Sequence, residues 1–187
     1  MAVNQTIGKF IQVAGQRDFA RNNLFRIMQV SCRNLTLSED DLVYAKGGRL
    51  PGRENPVGEV QYMGMKLPYI KSTVSYPGNE DYQITFYVDK DSEVIHKFER
   101  ASRLNFNDIS TTGDWRFPSQ SDVMTVAVLD NHLDVIEYIT FYGVSFYKFE
   151  GIDFQVAEGD GSAIEVTASM SYHSYKRTGS DAVATGA

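Results

Sequence analysis

Three histidines and one cysteine are the side chains of this sequence best suited to metal binding or nucleophilic chemistry. His96, His132 and His173 lie far apart, and none stands at a ligand spacing from another histidine or from Cys32. Cys32 has no flanking motif of a reactive thiol, so a small residue at the end of a strand is the better interpretation. These residues therefore indicate structural positions.

The acidic residues and the glycines do not form a recognisable site either. Asp130 and Asp134 enclose "NHL", which lacks the spaced acidic residues and the glycine of a calcium loop, so a hairpin turn is favoured. The glycines of "GGRLPG" at 47–52 are followed by no Lys-Ser/Thr pair, which argues against a phosphate loop. The acidic run at 39–41 is typical of a solvated face. We expect no catalytic residues, no cofactor and no metal.

Composition limits the kinds of partner. A chain of 187 residues predicts one domain with its own core, and a net charge of −6 disfavours a protein that grips nucleic acid. Aromatic clusters such as "FYGVSFYKF" could stack on bases, but only Lys148 accompanies them. Packing in a core or an interface is preferred, and a nucleic-acid-binding barrel stays as an alternative.

Three features of the sequence bear on the cellular compartment of the protein. A single cysteine can form no internal disulfide, which fits a reducing compartment. The first residues, "MAVNQTIGKFIQVAGQ", lack the basic region and apolar run of a secretory signal. No apolar run approaches the roughly 18 residues of a membrane span. We therefore expect a soluble protein, folded in cytoplasm, with no membrane partner.

The elements that would position any site are mainly strands. Alternating or continuous apolar residues predict about seven strands, two of them flanking a turn at Leu67-Pro68. The predicted strands are 24–31, 57–67, 69–76, 80–89, 121–130, 135–144 and 163–175. One convincing helix follows at 90–106, with Asp91 or Ser92 as its N-cap, and a shorter helix is predicted at 6–13.

Three connections separate these elements. Residues 33–56 are predicted to be a long loop, and their apolar side chains favour a binding arm over a floppy insertion. Residues 107–121 are a polar connection that carries the lone Trp115, and 147–161 are predicted to be irregular. The predicted domain organisation is an N-terminal arm (1–20), a β-barrel domain (21–176) and a flexible C-terminal tail (177–187).

This pattern predicts a mainly β (α+β) fold. It is an antiparallel β-sandwich or barrel with one flanking α-helix and a long interface loop. A chain rich in strands and aromatic residues, with apolar arms and no reactive constellation, indicates a building block of an assembly.

Several motifs, taken in order, resemble those of tail tube proteins of contractile-tailed (myovirus-type) bacteriophages. "DFARNNLFRIMQV" at 18–30 is similar to the "ARPNLF" opening of that family. "GGRLPGRENPVGEVQYMGMKLPYIKSTVSYPGNEDYQITFYVDKD" looks like its Leu-Pro loop, hairpin and strand, and "SEVIHKFERA" like the helix that follows. "MTVAVLDNHLDVIEYITFYGVSF" and "AIEVTASMSYHSY" match its closing strands. Asn22 stands where proline is common, and Tyr82 where tryptophan is frequent.

The resemblance covers about residues 18–175 and implies a specific function. Members of the family form hexameric rings that stack into a hollow tube, and the strands of each subunit join a shared inner barrel. The implied partners are further copies of the chain, a tail sheath protein, baseplate and tail terminator proteins, and a tape-measure protein in the lumen. DNA would pass through transiently, without specific binding, in a virion tail assembled in host cytoplasm.

The same resemblance gives two sets of predicted contact residues. Alternation on the hairpins places the lumen-facing set at Glu59, Gln61, Thr73, Ser75, Glu137 and Thr140. The inter-subunit arm set is Leu37, Leu42, Val43, Tyr44, Arg49 and Leu50. Alternatives are a tube subunit of a related contractile injection or secretion system, a tail terminator or initiator, and an enzyme with an unrecognised site.

Overall fold

The computed structural model describes residues 7–16, 23–152 and 161–179. The helices in these ranges are α1 (Ile7–Gln16), α2 (Glu39–Val43) and α3 (Glu93–Asn105). The strands of the first half are β1 (Phe25–Cys32), β2 (Leu35–Leu37), β3 (Ala45–Gly47), β4 (Val57–Tyr62), β5 (Met65–Ile70) and β6 (Tyr82–Tyr87). Those of the second half are β7 (Phe106–Asn107), β8 (Thr112–Gly113), β9 (Val123–Leu129), β10 (Val135–Tyr142), β11 (Ser145–Phe149), β12 (Glu165–Ser171) and β13 (Ser174–Gly179).

Two antiparallel sheets carry the fold. The five-stranded sheet has the order β13-β10-β9-β1-β2, and the four-stranded sheet has the order β11-β12-β6-β3. Among the described residues, β4 pairs only with β5, and β7 only with β8. The predicted fold class, mainly β with antiparallel sheets and few helices, is confirmed.

The core lies between the two sheets. Inward side chains of both belong to one buried cluster, among them Val30, Met124 and Ile84. Tyr82 on β6 and Phe141 on β10 bring their ring centroids to 5.0 Å across the gap. Because each sheet presents one apolar face, stacking them removes both faces from water.

α3 closes one side of this sandwich. Phe98, fully buried, stacks on Phe146 of β11 at 5.4 Å, and the helix also contacts β2. Both strands are sheet edges, so α3 covers the opening between them. Ser92 occupies the N-cap position, one of the two predicted, but it has a left-handed φ of 56° and its side chain makes no capping bond; Asp89 Oδ2 accepts from the Glu93 amide instead, at 3.3 Å.

The strands with clear periodicity lie where the sequence predicts them. β1, β6, β9 and β10 confirm the predictions at 24–31, 80–89, 121–130 and 135–144. The strand predicted at 163–175 is divided into β12 and β13 by a bend at Tyr172 and His173. The helix expected at 6–13 is confirmed as α1, which ends three residues later.

The turn of the first hairpin is not where it is predicted. Met63 and Gly64 make the turn, both with positive φ (47° and 78°), the backbone of a tight two-residue hairpin loop. Pro68 lies inside β5 opposite Glu59. A two-stranded ribbon leaves one edge of each strand unpaired, so a residue without an N–H is tolerated there.

The first part of the long loop predicted at 33–56, up to residue 47, is structured. It contains β2, α2 and β3, which pair with or pack on the rest of the domain. Ser38 caps α2 in a reciprocal capping box with Asp41. The apolar residues of this segment indicated an interface, but Leu35, Leu37 and Leu42 are core residues.

Strands also occur in the other connections. β11 covers the first part of the stretch predicted to be irregular, and 107–121 contains the short β7–β8 hairpin. Residues 177–179, assigned to a tail, continue β13 alongside β10. Residues 1–6, 17–22, 153–160 and 180–187 lie outside the described ranges, as do most of the predicted tail and part of the predicted arm. None of the helices described is long and apolar enough to cross a membrane.

Candidate assembly surfaces

The side chains with possible chemistry remain separate in the structure. Within the described ranges, no three His, Cys, Asp or Glu residues are grouped so that they could hold a metal ion. Asp130 Oδ1 accepts the amides of His132 (2.7 Å) and Asp134 (2.9 Å), which makes "NHLD" the predicted turn. Cys32 is buried, its Sγ donates to the Leu35 carbonyl at 3.3 Å, and burial raises the pKa of its thiol. A buried thiol with a raised pKa is a poor nucleophile.

Two hollows in the described surface also lack a reactive constellation. An open groove of about 400 Å³ runs along α3, lined by His96, Glu99, Arg100, Arg103, Leu104 and Asn107. A polar cavity of about 40 Å³ beside Cys32 is bordered by the Arg33–Asp114 ion pair and the Asn34–Asn105 hydrogen bond. Neither hollow joins a nucleophile to a general base, so the surface itself becomes the candidate site.

The most conspicuous surface is the hairpin, which we define as β4, β5 and their turn, residues 57–70. Gly58 is its only buried residue, and Met63 at the tip is 86% exposed. β4 and β5 belong to no larger sheet. Two-stranded ribbons are marginally stable alone in water and need a further strand or a packed layer. No described element supplies that layer for this hairpin.

The register divides the hairpin into two different faces. Residues paired directly across two strands share a face, and the faces alternate along each strand. The apolar face consists of Gly58-Tyr69, Val60-Leu67 and Tyr62-Met65. The polar face carries Glu59-Pro68 and Gln61-Lys66, with Val57-Ile70 at its base. The Lys66 ammonium lies 3.6 Å from the Glu59 carboxylate. The hairpin is therefore amphipathic, and no described part of the chain covers its apolar face.

Contacts at its base fix the hairpin to the core. Glu54 and Ser75 exchange two backbone hydrogen bonds of 2.8 Å just below the strands. The next residue, Tyr76, packs edge-on against Tyr175 of β13 at 5.3 Å and lies 6.3 Å from Tyr172. The hairpin thus leaves the domain from an anchored base beside the free edge strand β13.

The predicted lumen residues do not share one surface. Glu59 and Gln61 lie together on the polar face, whereas Thr73 and Ser75 are exposed beyond the end of β5. Glu137 and Thr140 are three residues apart on one strand, so they project from opposite sides of the five-stranded sheet. Glu137 shares the side of buried Ile139 and pairs with Arg177 at 3.5 Å. The prediction that Glu137 and Thr140 line the same wall is wrong.

The predicted arm set also divides. Leu37 and Leu42 are each 6% exposed and belong to the core of their own subunit, so neither presents a side chain to a neighbour. This part of the prediction is corrected by the packing of β2 and α2. The other members of the set, Val43, Tyr44, Arg49 and Leu50, are exposed.

A buried ion pair holds α2 against α3. Both carboxylate oxygens of Asp41, which is 5% exposed, accept from Lys97 Nζ at 2.7 and 2.6 Å. The Ser38 hydroxyl and amide each donate to Asp41 Oδ2 at 2.7 Å. Burial acts to raise the pKa of Asp41, but the bonds from Lys97 and Ser38 outweigh it and hold that pKa below its usual value. Asp41 is therefore structural, unlike its exposed neighbours Glu39 and Asp40.

One exposed apolar surface was missed by reasoning from the sequence. Leu104, Phe106, Ile109 and Trp115 surround the short β7–β8 hairpin, and the last two are 91% and 89% exposed. The Asp114 amide donates to the Asn105 carbonyl at 3.2 Å, which brings Trp115 beside the end of α3. The signal was present, because three large apolar residues and the lone tryptophan occur in a stretch that is otherwise mostly polar.

Comparisons with known proteins identify the fold. No protein-family model matches the sequence, and neither does any curated protein. A chain of the anti-feeding prophage baseplate, a six-fold symmetrised cryo-EM structure, has a TM-score of 0.58 at 12% identity, over 87% of this chain and 97% of that one. A chain of the cap that terminates the anti-feeding prophage tube has a TM-score of 0.57 at 6% identity, over 87% and 93%.

A third similarity is to a chain of the PVC sheath-tube complex, an extracellular contractile injection system in its extended state. Its TM-score is 0.52 at 7% identity, over 90% of this chain and 97% of that one. At these identities the likeness concerns the fold alone. It agrees with the resemblance found in the order of the motifs, and the chain has the fold of tube-like components of contractile injection systems.

Proposed function

We propose that this chain is a structural, non-enzymatic subunit that assembles into stacked hexameric rings and forms the inner tube of a contractile tail. The observation that carries the proposal is the anchored hairpin with an uncovered apolar face. Its five large side chains, Val60, Leu67, Tyr62, Met65 and Tyr69, are each between 45% and 64% exposed. Burying them against another copy would gain the hydrophobic stabilisation that the isolated subunit lacks.

Free strand edges support the same proposal. β13 and β3 each end a sheet of the described structure, whereas α3 packs on the other two edge strands, β2 and β11. Unpaired edges template association with other chains, and closing several copies into a ring removes them. The hairpin beside β13 is placed to extend such a shared sheet.

The polar face of the hairpin suits the wall of a conduit. Glu59, Gln61 and Lys66 would face the lumen, and Lys66 was absent from the predicted set. The carboxylate of Glu59 neutralises the nearby Lys66 ammonium, so the face carries no net charge. A wall rich in unpaired cations would hold DNA through its phosphates, whereas a neutral or acidic wall lets the polymer slide. Genome DNA and a tape-measure protein are the proposed occupants of this lumen.

The proposed partners follow from a place inside the tail. They are further copies of the chain, a sheath protein outside the tube, and baseplate and terminator proteins at its ends, in a virion tail assembled in host cytoplasm. A second candidate is a tube, cap or baseplate component of a related contractile injection device. It is favoured by TM-scores of 0.57 and 0.58 to cap and baseplate chains, against 0.52 for a sheath-tube complex.

Electron microscopy of concentrated pure protein tests the proposal. We expect six-fold rings that stack into tubes, while a cap component would stop at single rings. Val60→Asp on the apolar face should abolish assembly, because a carboxylate would then be buried in the contact. Gln61→Asp, on the adjacent position of the polar face, is the matched control and should still assemble. Persistent monomers of the unaltered protein would disprove the proposal. Equal effects of the two variants on assembly would show that the apolar face of the hairpin is not the contact between subunits.

A further inference from the structure

The apolar surface at the end of α3 has the composition of a protein contact. We define the lobe as residues 100–116, from Arg100 on α3 through β7 and β8 to Arg116. It exposes Leu104, Phe106, Ile109 and Trp115. Trp and Arg are the residues most enriched at the energetic centres of interfaces. Large apolar side chains clustered on a surface mark interaction sites more reliably than single ones.

The lobe also presents positive charge. Within the described ranges, Arg103 pairs with Glu99 and Lys97 with Asp41, whereas Arg100 and Arg116 form no ion pair with another described residue. Both are exposed. The lobe also carries the exposed Asp108, which forms no ion pair with a described residue, so its uncompensated charges are two cations and one anion on a chain whose formal net charge is −6. Its natural partner is an apolar surface that carries acidic groups.

A surface of that kind exists on the same chain. The outer side of α2 exposes Val43 and Tyr44 beside Glu39 and Asp40, and neither carboxylate forms an ion pair with a described residue. Asp41, the third acidic residue of α2, is already paired with Lys97. We name this exposed set the α2 surface. Its two acids and two apolar side chains match the two arginines and the apolar residues of the lobe.

We propose that the lobe of one copy docks on the α2 surface of a second copy. The proposal rests on the proposed function, because it supplies a contact between subunits of the tube. Charge complementarity favours a contact between the two different surfaces. A contact between two lobes would bring arginines together, and a contact between two α2 surfaces would bring carboxylates together. A contact between two different surfaces of one chain can also continue from copy to copy, as a ring or filament requires.

The lone tryptophan makes the contact directly measurable. Trp115 is the only tryptophan of the chain, so intrinsic tryptophan fluorescence reports on the lobe alone. We expect the emission of assembled protein to shift to the blue and its quenching by acrylamide to fall several-fold. The reference is the Val60→Asp variant, which keeps the lobe but is designed not to assemble. Tubes whose Trp115 stays as quenchable as in that variant would overturn the proposal while leaving the proposed function intact.

Charge reversal identifies the occupant. Arg100→Glu/Arg116→Glu and Glu39→Lys/Asp40→Lys should each reduce the assembled fraction, and the variant with all four changes should recover it. Lys90→Glu/Lys148→Glu makes the same charge change outside both surfaces and should assemble normally. Shielding of Trp115 without recovery in the fourfold variant would exclude the α2 surface and point to another region or another protein. An unaltered protein that remains monomeric at every concentration would overturn both the contact and the proposed function.

Discussion

Removing Lys97 should destabilise the subunit far more than removing another lysine or arginine of the same helix. In Lys97→Met the Asp41 carboxylate remains 5% exposed and keeps only its bonds to Ser38. Breaking a fully buried pair costs roughly 3–5 kcal/mol, because an uncompensated charge is left behind. The Lys97 side chain is 34% exposed, so solvent already screens part of this pair. We therefore expect a loss of about 1–3 kcal/mol in the free energy of unfolding.

The matched control is Arg103→Met, which breaks the Arg103–Glu99 pair on the exposed side of α3. Exposed pairs spaced i, i+4 contribute about 0.3–0.5 kcal/mol. Urea unfolding of both variants, with equal m-values, measures the two losses on one scale. Equal losses for Lys97→Met and Arg103→Met would refute the reasoning, because they would mean that burial of Asp41 adds nothing.

The pH dependence supplies an independent check on the same pair. The pKa of Asp41 is lowered in the folded protein, so its contribution to stability is present above the unfolded pKa and is lost as pH falls through the folded pKa. Without Lys97 its hydrogen bonds and its charge no longer lower the pKa of Asp41, so that pKa should rise and the carboxyl should be protonated at a higher pH. The stability difference between the unaltered protein and Lys97→Met should therefore be largest near neutral pH and shrink in acid. A difference that stays constant as pH falls through the range of carboxyl titration would contradict the assignment.

Two further predictions concern the hairpin and the core. In Gly58→Ala the new Cβ would lie 2.6 Å from Cζ of Tyr69, so the Tyr69 ring must move away. NMR should then show that the ring-current shift at position 58 is lost. An unchanged ring-current shift would contradict the packing of Tyr69 on Gly58. Burial raises the pKa of Tyr82 to about 12, so a tyrosinate absorbance step near that pH should vanish in Tyr82→Phe. Because this pKa is raised, the stability it contributes is present below the unfolded value near 10 and is lost as pH rises towards 12. Persistence of the step in Tyr82→Phe would assign it to another tyrosine.

The elements that sequence reasoning located are those whose burial follows a single period. On β6 the buried residues Tyr82, Ile84 and Phe86 alternate with more exposed ones, so the strand can be predicted from the sequence alone. β2 and β3 have three residues each, too few for a period to be recognised. Leu37 of β2 and Leu42 of the short helix α2 were therefore assigned to an interface, because no local pattern distinguishes an apolar residue that packs in its own core from one that packs on a neighbouring subunit.

Turn geometry accounts for most of the remaining differences. Met63 adopts a φ of 47°, which is uncommon for a residue other than glycine and could not be predicted from its type. Pro68 suggested a break in the strand, but proline is tolerated in a strand whose edge is unpaired. Moving the turn by four residues changes which side chains face each other. With the turn at Met63-Gly64, Glu59 pairs with Pro68 and Gln61 with Lys66. The sequence thus located the polar residues of the hairpin, but its polar face could be defined only from the register.

The register also explains why one hairpin can serve two environments. Alternation places Val60, Leu67 and Tyr69 on one side and Gln61 and Lys66 on the other, within a ribbon a single layer thick. In the isolated subunit this arrangement is a cost, since a two-stranded ribbon cannot bury its apolar side by itself. In the proposed ring the cost would become a driving force, because the apolar side would be covered by protein while the polar side would meet water in the lumen. A hairpin with two polar faces would be more soluble, yet it would have nothing to gain from assembly, and that asymmetry favours a tube subunit over an independent domain.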